Sequence, residues 1–224
     1  MTALGMLPSG MPYLPPTDPL ALVHVDHDVI AVDKPSGLLS VPGKAAGLSD
    51  CLEHRVRDAY PRSLLLHRLD MDTSGIMLFA HNRDAQRHIA RQFNKGTIGK
   101  IYQALVWGHP AEDHGRIDAP LVCDWPRRPL QKVCTQTGKA SVTEWRVIET
   151  AGPLARLELK PLTGRSHQLR VHLRHMGHPI AGDRFYASGA ALQAAPRLAL
   201  HAKSIRLRHP DGGAWVEYAS DVPF

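Results

Sequence analysis

The sequence predicts an α+β fold built on a mainly antiparallel, mixed β-sheet flanked by helices and loops. Three observations carry that expectation. Strand-like and helix-like segments are interleaved without the regular βαβ alternation of a parallel sheet. Only three segments combine helical periodicity with clear ends. The 224-residue chain, 43% hydrophobic and 21% charged, is long enough to bury a sizeable core without disulfide or metal staples.

Taken in order, residues 1–20 carry Pro8, Pro12, Pro15, Pro16 and Pro19 and read as an extended arm, with 21–224 as a single domain. Val29–Asp33 is a short strand entering the turn Lys34-Pro35-Ser36-Gly37, and Leu38–Gly43 returns as an extended piece. Ser49 or Asp50 can cap a helix that Pro61 stops near Tyr60, with Leu52, Val56 and Ala59 as its apolar stripe. Ile76–Ala80 is a buried strand. Asn82 caps a helix over Arg83–Lys95 that Gly96 ends. Its inner face is Ala85, Ile89 and Phe93, while Arg83, Arg87, Arg91 and Lys95 form a basic ridge. Ile101–Trp107, Thr143–Glu149, Leu154–Lys160, Ser204–Arg208 and Trp215–Ala219 read as strands. Ser166–Met176 reads as a helix with Leu169, Leu173 and Met176 facing the core and Gly177 as its stop. No internal repeat or heptad pattern is present.

Composition narrows the function. No apolar run approaches the ~20 residues needed to span a bilayer, and Met1–Pro19 lacks the layout of a secretory signal. The three cysteines, Cys51, Cys123 and Cys134, form no CxxC pair. This suits a reducing cytoplasm and no membrane partner. The formal charge is +6 and unevenly placed. Residues 1–33 hold no Lys or Arg, whereas Arg156–Arg208 holds ten against Glu158 and Asp183, a local +8. Such a field attracts a polyanion, although a solvated face explains it equally well.

The densest chemistry lies in His67-Arg68-Leu69-Asp70-Met71-Asp72-Thr73-Ser74-Gly75, a polar cluster entering an apolar strand. Loops on rigid scaffolds present catalytic groups in this way, and a hydrogen-bonded turn capped by Asp and Ser/Thr is the plainer alternative. The cluster His167, His172, His175 and His178 lacks Cys or carboxylate partners at ligand spacing, and HExxH is absent, so no metal is expected. GxSxG is absent, which leaves a nucleophilic serine with little support, and GxGxxG and GxxxxGK[ST] are absent, so no nucleotide cofactor is expected. Two stretches mix cations with aromatics or a helix start: Asp124-Trp125-Pro126-Arg127-Arg128-Pro129 with Lys132, and Gly164-Arg165-Ser166-His167-Gln168-Leu169-Arg170. Guanidinium groups and helix ends suit phosphates, and aromatics suit splayed bases.

HRLDMDTSG resembles the HRLDxxTSG signature of the RluA-type pseudouridine synthases. The resemblance extends in order through Lys34-Pro35-Ser36-Gly37, Lys100-Ile101-Tyr102-Gln103-Ala104, Gly164–Arg170, Gly182-Asp183 with Tyr186, and His201-Ala202. It implies the pseudouridine synthase fold with a central catalytic cleft, no cofactor, and RNA as the partner. In the residues it matches, Asp70 would be the catalytic carboxylate. Tyr102 would stack on the target uracil, and Arg170 would pair with Asp70. Arg68 would fill the gap left by the extruded base, and His67, Arg165, His167, Arg127, Arg128 and Lys132 would contact RNA. Asp70 can attack C1′, attack C6, or abstract a proton on the way to a glycal, and the sequence does not choose. The short length and CDWPRRPLQKVC at 123–134 resemble the branch that modifies stem-loops in both 23S rRNA (uridine 746) and tRNA (uridine 32). The S4 RNA-binding domain carried by many relatives is not expected, nor is an obligate protein partner, and a monomer suffices. The rivals are an idle RNA-binding protein on the same fold and a carboxylate-dependent glycosidase. Retained Asp70, Tyr102 and Arg170 disfavour the first. The second leaves the basic segment unexplained and lacks a second secure carboxylate.

Overall fold

The computed structural model describes residues 5–7 and 10–224, so the expected arm falls partly outside the described residues. The first elements are β1 (Ala21–Val25), β2 (Val29–Lys34), α1 (Leu52–Ala59), β3 (Leu64–Leu65), β4 (Ser74–Ala80) and α2 (Arg83–Lys95). Then come β5 (Gly99–Trp107), β6 (His114–Asp118), β7 (Leu121–Cys123), β8 (Gln131–Val133), β9 (Val142–Ala151) and β10 (Leu154–Pro161). The chain closes with α3 (Gln168–His175), α4 (Gly189–Gln193), β11 (Leu200–Arg208) and β12 (Trp215–Ala219). The mixture is α+β, as expected. It gathers into two compact units, Met1–Lys100 with Ala202–Val222 and Ile101–His201 with Pro223–Phe224.

In the first unit the strand order is β1-β2-β4-β11-β12, with β3 added to β4. The β1–β2, β2–β4, β3–β4 and β11–β12 pairs are antiparallel. All seven residues of β4 are buried, so it reads as a continuous apolar run rather than an alternation. Val29, Ala31, Ile76 and Leu78 pack with Ile89 of α2 and with Ile205, Leu207 and Tyr218. Asn82 caps α2 by accepting the Ala85 N–H, and Gly96 ends it in the left-handed region. The start of α1 departs from expectation. Its N-cap is Cys51, without a side-chain bond. The first helical N–H groups donate instead to the carbonyls of Leu39 and Ser40. That holds Leu38–Gly43 as an irregular brace and frees Asp50 to pair with Arg55 at 2.8 Å. Ala59 is exposed, so the apolar stripe ends at Val56. The described part of the arm is strapped to this unit: the Tyr13 hydroxyl donates to Asp50 O (2.8 Å) and accepts from Leu39 N (3.0 Å).

In the second unit β5-β10-β9-β6 form an antiparallel run, and β7–β8 form a separate hairpin. Ala155, Leu157 and Leu159 alternate inward along β10. They pack with Ala104, Val106, Leu169 and Leu173. The helix α3 was expected to show one apolar face, yet Gln168 through Leu173 are all buried. The hairpin supplies the reason: Val171 packs with Leu121 and Tyr186 on a second side of the helix.

Candidate active site

The loop 67–75 leads into β4, and its backbone is held residue by residue. Leu69 O accepts from Ser40 Oγ (2.6 Å), and Asp70 O accepts from Thr73 N (3.1 Å). Met71 O accepts from Lys34 Nζ (2.8 Å) and Gly37 N (2.9 Å), and Asp72 O accepts from Ser36 Oγ (2.6 Å). Four successive carbonyls are thus tied to donors, and residues 34–40 hold three of the four. The Lys34 ammonium is fully buried and also donates to Pro35 O (2.9 Å) and Leu38 O (2.8 Å). A buried cation is tolerated where several oxygens replace its hydration. In the sequence Lys34-Pro35-Ser36-Gly37 reads as a turn and a motif; the clamp that Lys34, Ser36 and Ser40 place on the Asp70 loop emerges only in the structure. A lysine between an apolar strand and a Pro-Ser-Gly turn was the available signal, because a charge in that setting needs dedicated acceptors.

Gly75 closes the loop at φ +116°. A Cβ there would run into the backbone of Ala202, so glycine is required where β4 begins beside β11. Arg68 is exposed next to Asp70, and Asp70 and His67 are half-buried.

His67 is a structural member of this loop. Its Nε2 accepts the Leu78 N–H at 3.0 Å, just where the two-residue strand β3 has stopped pairing with β4 at Phe79. An accepting Nε2 carries no proton, so the ring is neutral. Burial, and then the nearby Lys100 ammonium, push its pKa down to about 4; burial lowers Lys100 as well. The unfolded chain takes up this proton near pH 6.5, whereas the folded protein resists it down to about 4. Stability from this group is therefore intact above pH 6.5 and falls as the pH drops toward 4, by roughly 3 kcal/mol at most. His67→Gln keeps an acceptor for Leu78 N without a titrating ring. Urea unfolding across pH 4–7 should show a flatter profile for the variant; an unchanged profile would rule out this role.

In the second unit, Tyr102 lies on β5 opposite Leu159 of β10, on the same face as Ala104 and Val106 by the period of two, and packs against their core. Arg170 is 2% exposed on α3. Its Nε and Nη2 form a bidentate pair with Asp183, at 2.8 and 2.6 Å. The Asp183 carboxylate also accepts Phe185 N and Tyr186 N. The two aromatic rings lie 5.1 and 5.3 Å from the guanidinium carbon. In the sequence Asp183 stands only as part of an ordered motif; a carboxylate in the apolar run around Ile180 and Ala181 needs a cation, and that is the signal for its pairing. His167 is the one non-glycine residue with positive φ among the described residues (54°). Arg165 is exposed before α3, with Nε on Ala140 O (3.2 Å).

The basic stretch 124–132 is a hairpin tip, not an open loop. Asp124, 4% exposed, takes Arg127 Nε at 2.7 Å and stands 3.6 Å from Lys132 Nζ. Arg128 stacks on Trp125, 3.3 Å from its ring centre. The +8 count along the chain overstates the field. Arg156, Lys160 and Arg170 pair with Glu149, Glu144 and Asp183, two of these acids lying outside the counted segment. Arg165, Arg174, Arg184, Arg206 and Arg208 remain exposed.

This fold is one that RNA-modifying enzymes use. The human RNA pseudouridylate synthase domain containing 1 superposes with a TM-score of 0.78 at 29% identity, covering 94% of this chain and 87% of that one. Residues 28–175 match the sequence profile described as RNA pseudouridylate synthase, and the chain belongs to that family: it is an isomerase that converts uridine in RNA to pseudouridine. It is 51% identical over 214 residues to the dual-specificity RNA pseudouridine synthase RluA of Salmonella typhimurium, covering 95% of this chain and 98% of that protein. The enzyme of the same name from Escherichia coli K12 is 48% identical over the same span. No helix among the described residues is long and apolar enough to cross a membrane.

Proposed function

We propose that the protein isomerises one uridine in a 23S rRNA stem-loop and one in a tRNA stem-loop, with Asp70 as the catalytic carboxylate. The observation that carries this reading is the clamp on four successive carbonyls around Asp70, in a chain that matches dual-specificity relatives nearly end to end. A reacting group must be held close to its working geometry before substrate arrives, and the clamp does that for Asp70.

The reaction breaks N1–C1′, turns the uracil while it stays bound, joins C5 to C1′, and moves the C5 proton away as N1 gains one. Atoms and electrons balance within the substrate and solvent. The base must leave its stack to react. Arg68, exposed beside Asp70, fills the gap it leaves. Tyr102 stacks on the freed uracil, and Arg170, already fixed by Asp183, supplies positive charge to the reacting carboxylate. Arg127, Arg128, Lys132, Arg165 and His167 complete the RNA-facing set, and His67, expected from the resemblance to contact RNA, acts instead by fixing the loop. Stem-loop shape and phosphate contacts select the RNA. The working form is a monomer in the cytoplasm, and a stable dimer in sedimentation would overturn the first part.

Unmodified tRNA and 23S transcripts incubated with the protein should each acquire one carbodiimide-dependent primer-extension stop, at the two uridines named above. Stops in a single RNA would sink dual specificity, and stops in neither would sink the reading. RNA affinity should also fall steeply with salt; a flat log–log plot would remove the electrostatic role of the exposed cations.

A further inference from the structure

We infer that the Tyr186 hydroxyl is a latch that sets the position of the basic hairpin β7–β8 against α3, and thereby tunes how the enzyme grips RNA. The inference rests on the proposed RNA contact of the hairpin cations and assigns the residue that regulates it.

Two bonds meet at this hydroxyl. It accepts the Gln131 N–H at 2.9 Å, at the first residue of β8. It also lies 2.6 Å from His167 Nδ1, at the N-cap of α3. A phenol can accept one of these and donate the other. His167 pays for its place: a non-glycine residue at φ 54° is held in a sparsely populated region. In that conformation its ring packs on Phe185 at 5.8 Å and edge-on to Tyr186 at 5.6 Å. The Tyr186 ring is 5% exposed and packs with Leu121 and Val171, so the hydroxyl is aimed by its surroundings.

The hairpin beyond the latch is stiff. Asp124 N donates to Leu130 O, and Arg127 N donates to Asp124 O. The Asp124 carboxylate holds Arg127 and Lys132, and Arg128 covers one side of Trp125, which is 64% exposed. A stiff tip moves as one body about its base, and Gln131 lies at that base. Fixing Gln131 therefore fixes all three cations together. Arg170 is held differently, by the Asp183 carboxylate, which also takes the Tyr186 backbone N–H. Removing only the hydroxyl loosens the hairpin and leaves the Arg170–Asp183 pair in place.

The test compares wild type, Tyr186→Phe, Arg127→Ala/Arg128→Ala, and the triple variant, with an unmodified tRNA transcript as probe. Tyr186→Phe should weaken binding ~five- to ten-fold, the scale of one or two buried hydrogen bonds, and make the salt dependence shallower. KM should rise by that factor while kcat stays within about three-fold, because the hydroxyl is assigned no part in the chemistry. In the triple variant, Tyr186→Phe should add no more than about two-fold to the loss from the two arginines, because a hairpin without those cations gains little from being positioned. Additive losses, an equal fall in kcat and kcat/KM, or no effect of either change on binding would each overturn the latch. Wild-type protein that binds the transcript but modifies neither RNA would defeat the proposed function and leave the latch measurable. Failure of wild type to bind would overturn both.

Discussion

Asp70→Asn should reduce pseudouridine formation below ~10⁻⁴ of the wild-type rate, the scale of loss when a group in direct contact with the reacting atoms is removed, while RNA affinity stays within a few-fold. The two expectations separate because the loop and the carboxylate depend on different atoms. The loop's path is held at its carbonyls, from Leu69 to Asp72, by Ser40, Thr73, Lys34, Gly37 and Ser36. Asparagine matches aspartate in shape, so those bonds survive and only the charge and nucleophilicity are lost. The exposed cations at 127, 128, 132 and 165 remain to bind phosphate. Pseudouridine has the mass of uridine, so the readout is the carbodiimide stop, in single turnover with excess enzyme. A variant that retained modification would move the chemistry elsewhere. A correctly folded variant that lost RNA affinity would make Asp70 a structural residue.

Lys34→Met should lower kcat about 100-fold and cost about 3 kcal/mol of stability or more. The ammonium donates to the carbonyls of Pro35, Leu38 and Met71 at 2.8–2.9 Å and is fully buried. Methionine matches the length of the side chain and removes the donors. Met71 O keeps Gly37 N, whereas the other two carbonyls lose a buried donor, each worth ~1–3 kcal/mol. The catalytic cost follows from looser placement of Asp70, since a displacement near 1 Å is enough to lose ~10²-fold. Denaturant unfolding and single-turnover rates measure the two effects. Should Lys34→Met fail to fold, Ser36→Ala removes one donor to Asp72 O and should shift kcat in the same direction by a smaller factor. Normal kcat in a folded Lys34→Met protein would show that the clamp does not position Asp70.

Local segments with their own signals were legible before the structure. The helix α2 formed over the expected residues because Asn82 and Gly96 mark its ends and Ala85 and Ile89 form its inner face. Strand β12 also matched, and β2, β5, β9 and β10 differed only at their ends. Strands β3, β7 and β8 have only two or three residues, too short for a periodic pattern to stand out, and β1 and β6 are largely exposed. Strands β3 and β6 pair with partners distant in sequence, and β7 and β8 pair across a proline-braced turn. The same limit applied to charge. Counting cations along 156–208 could not anticipate Glu149 and Glu144 lying beside Arg156 and Lys160 on the neighbouring strand.

Residue types and their order along the chain were enough for the α+β class, the family, and the residues proposed for the chemistry: Asp70, Tyr102 and Arg170. Each of these depends on residue type and on spacing along the chain, which a sequence displays directly. What holds the surrounding elements in place became visible in the folded chain alone. Lys34 proved to be a brace, His67 a neutral acceptor, Asp183 the anchor of Arg170, and Tyr186 a bridge from the hairpin to α3. Those roles arise from burial. A charged or polar group removed from water must find partners nearby in space, and the chain reaches them across separations of 37, 11, 13 and 55 residues.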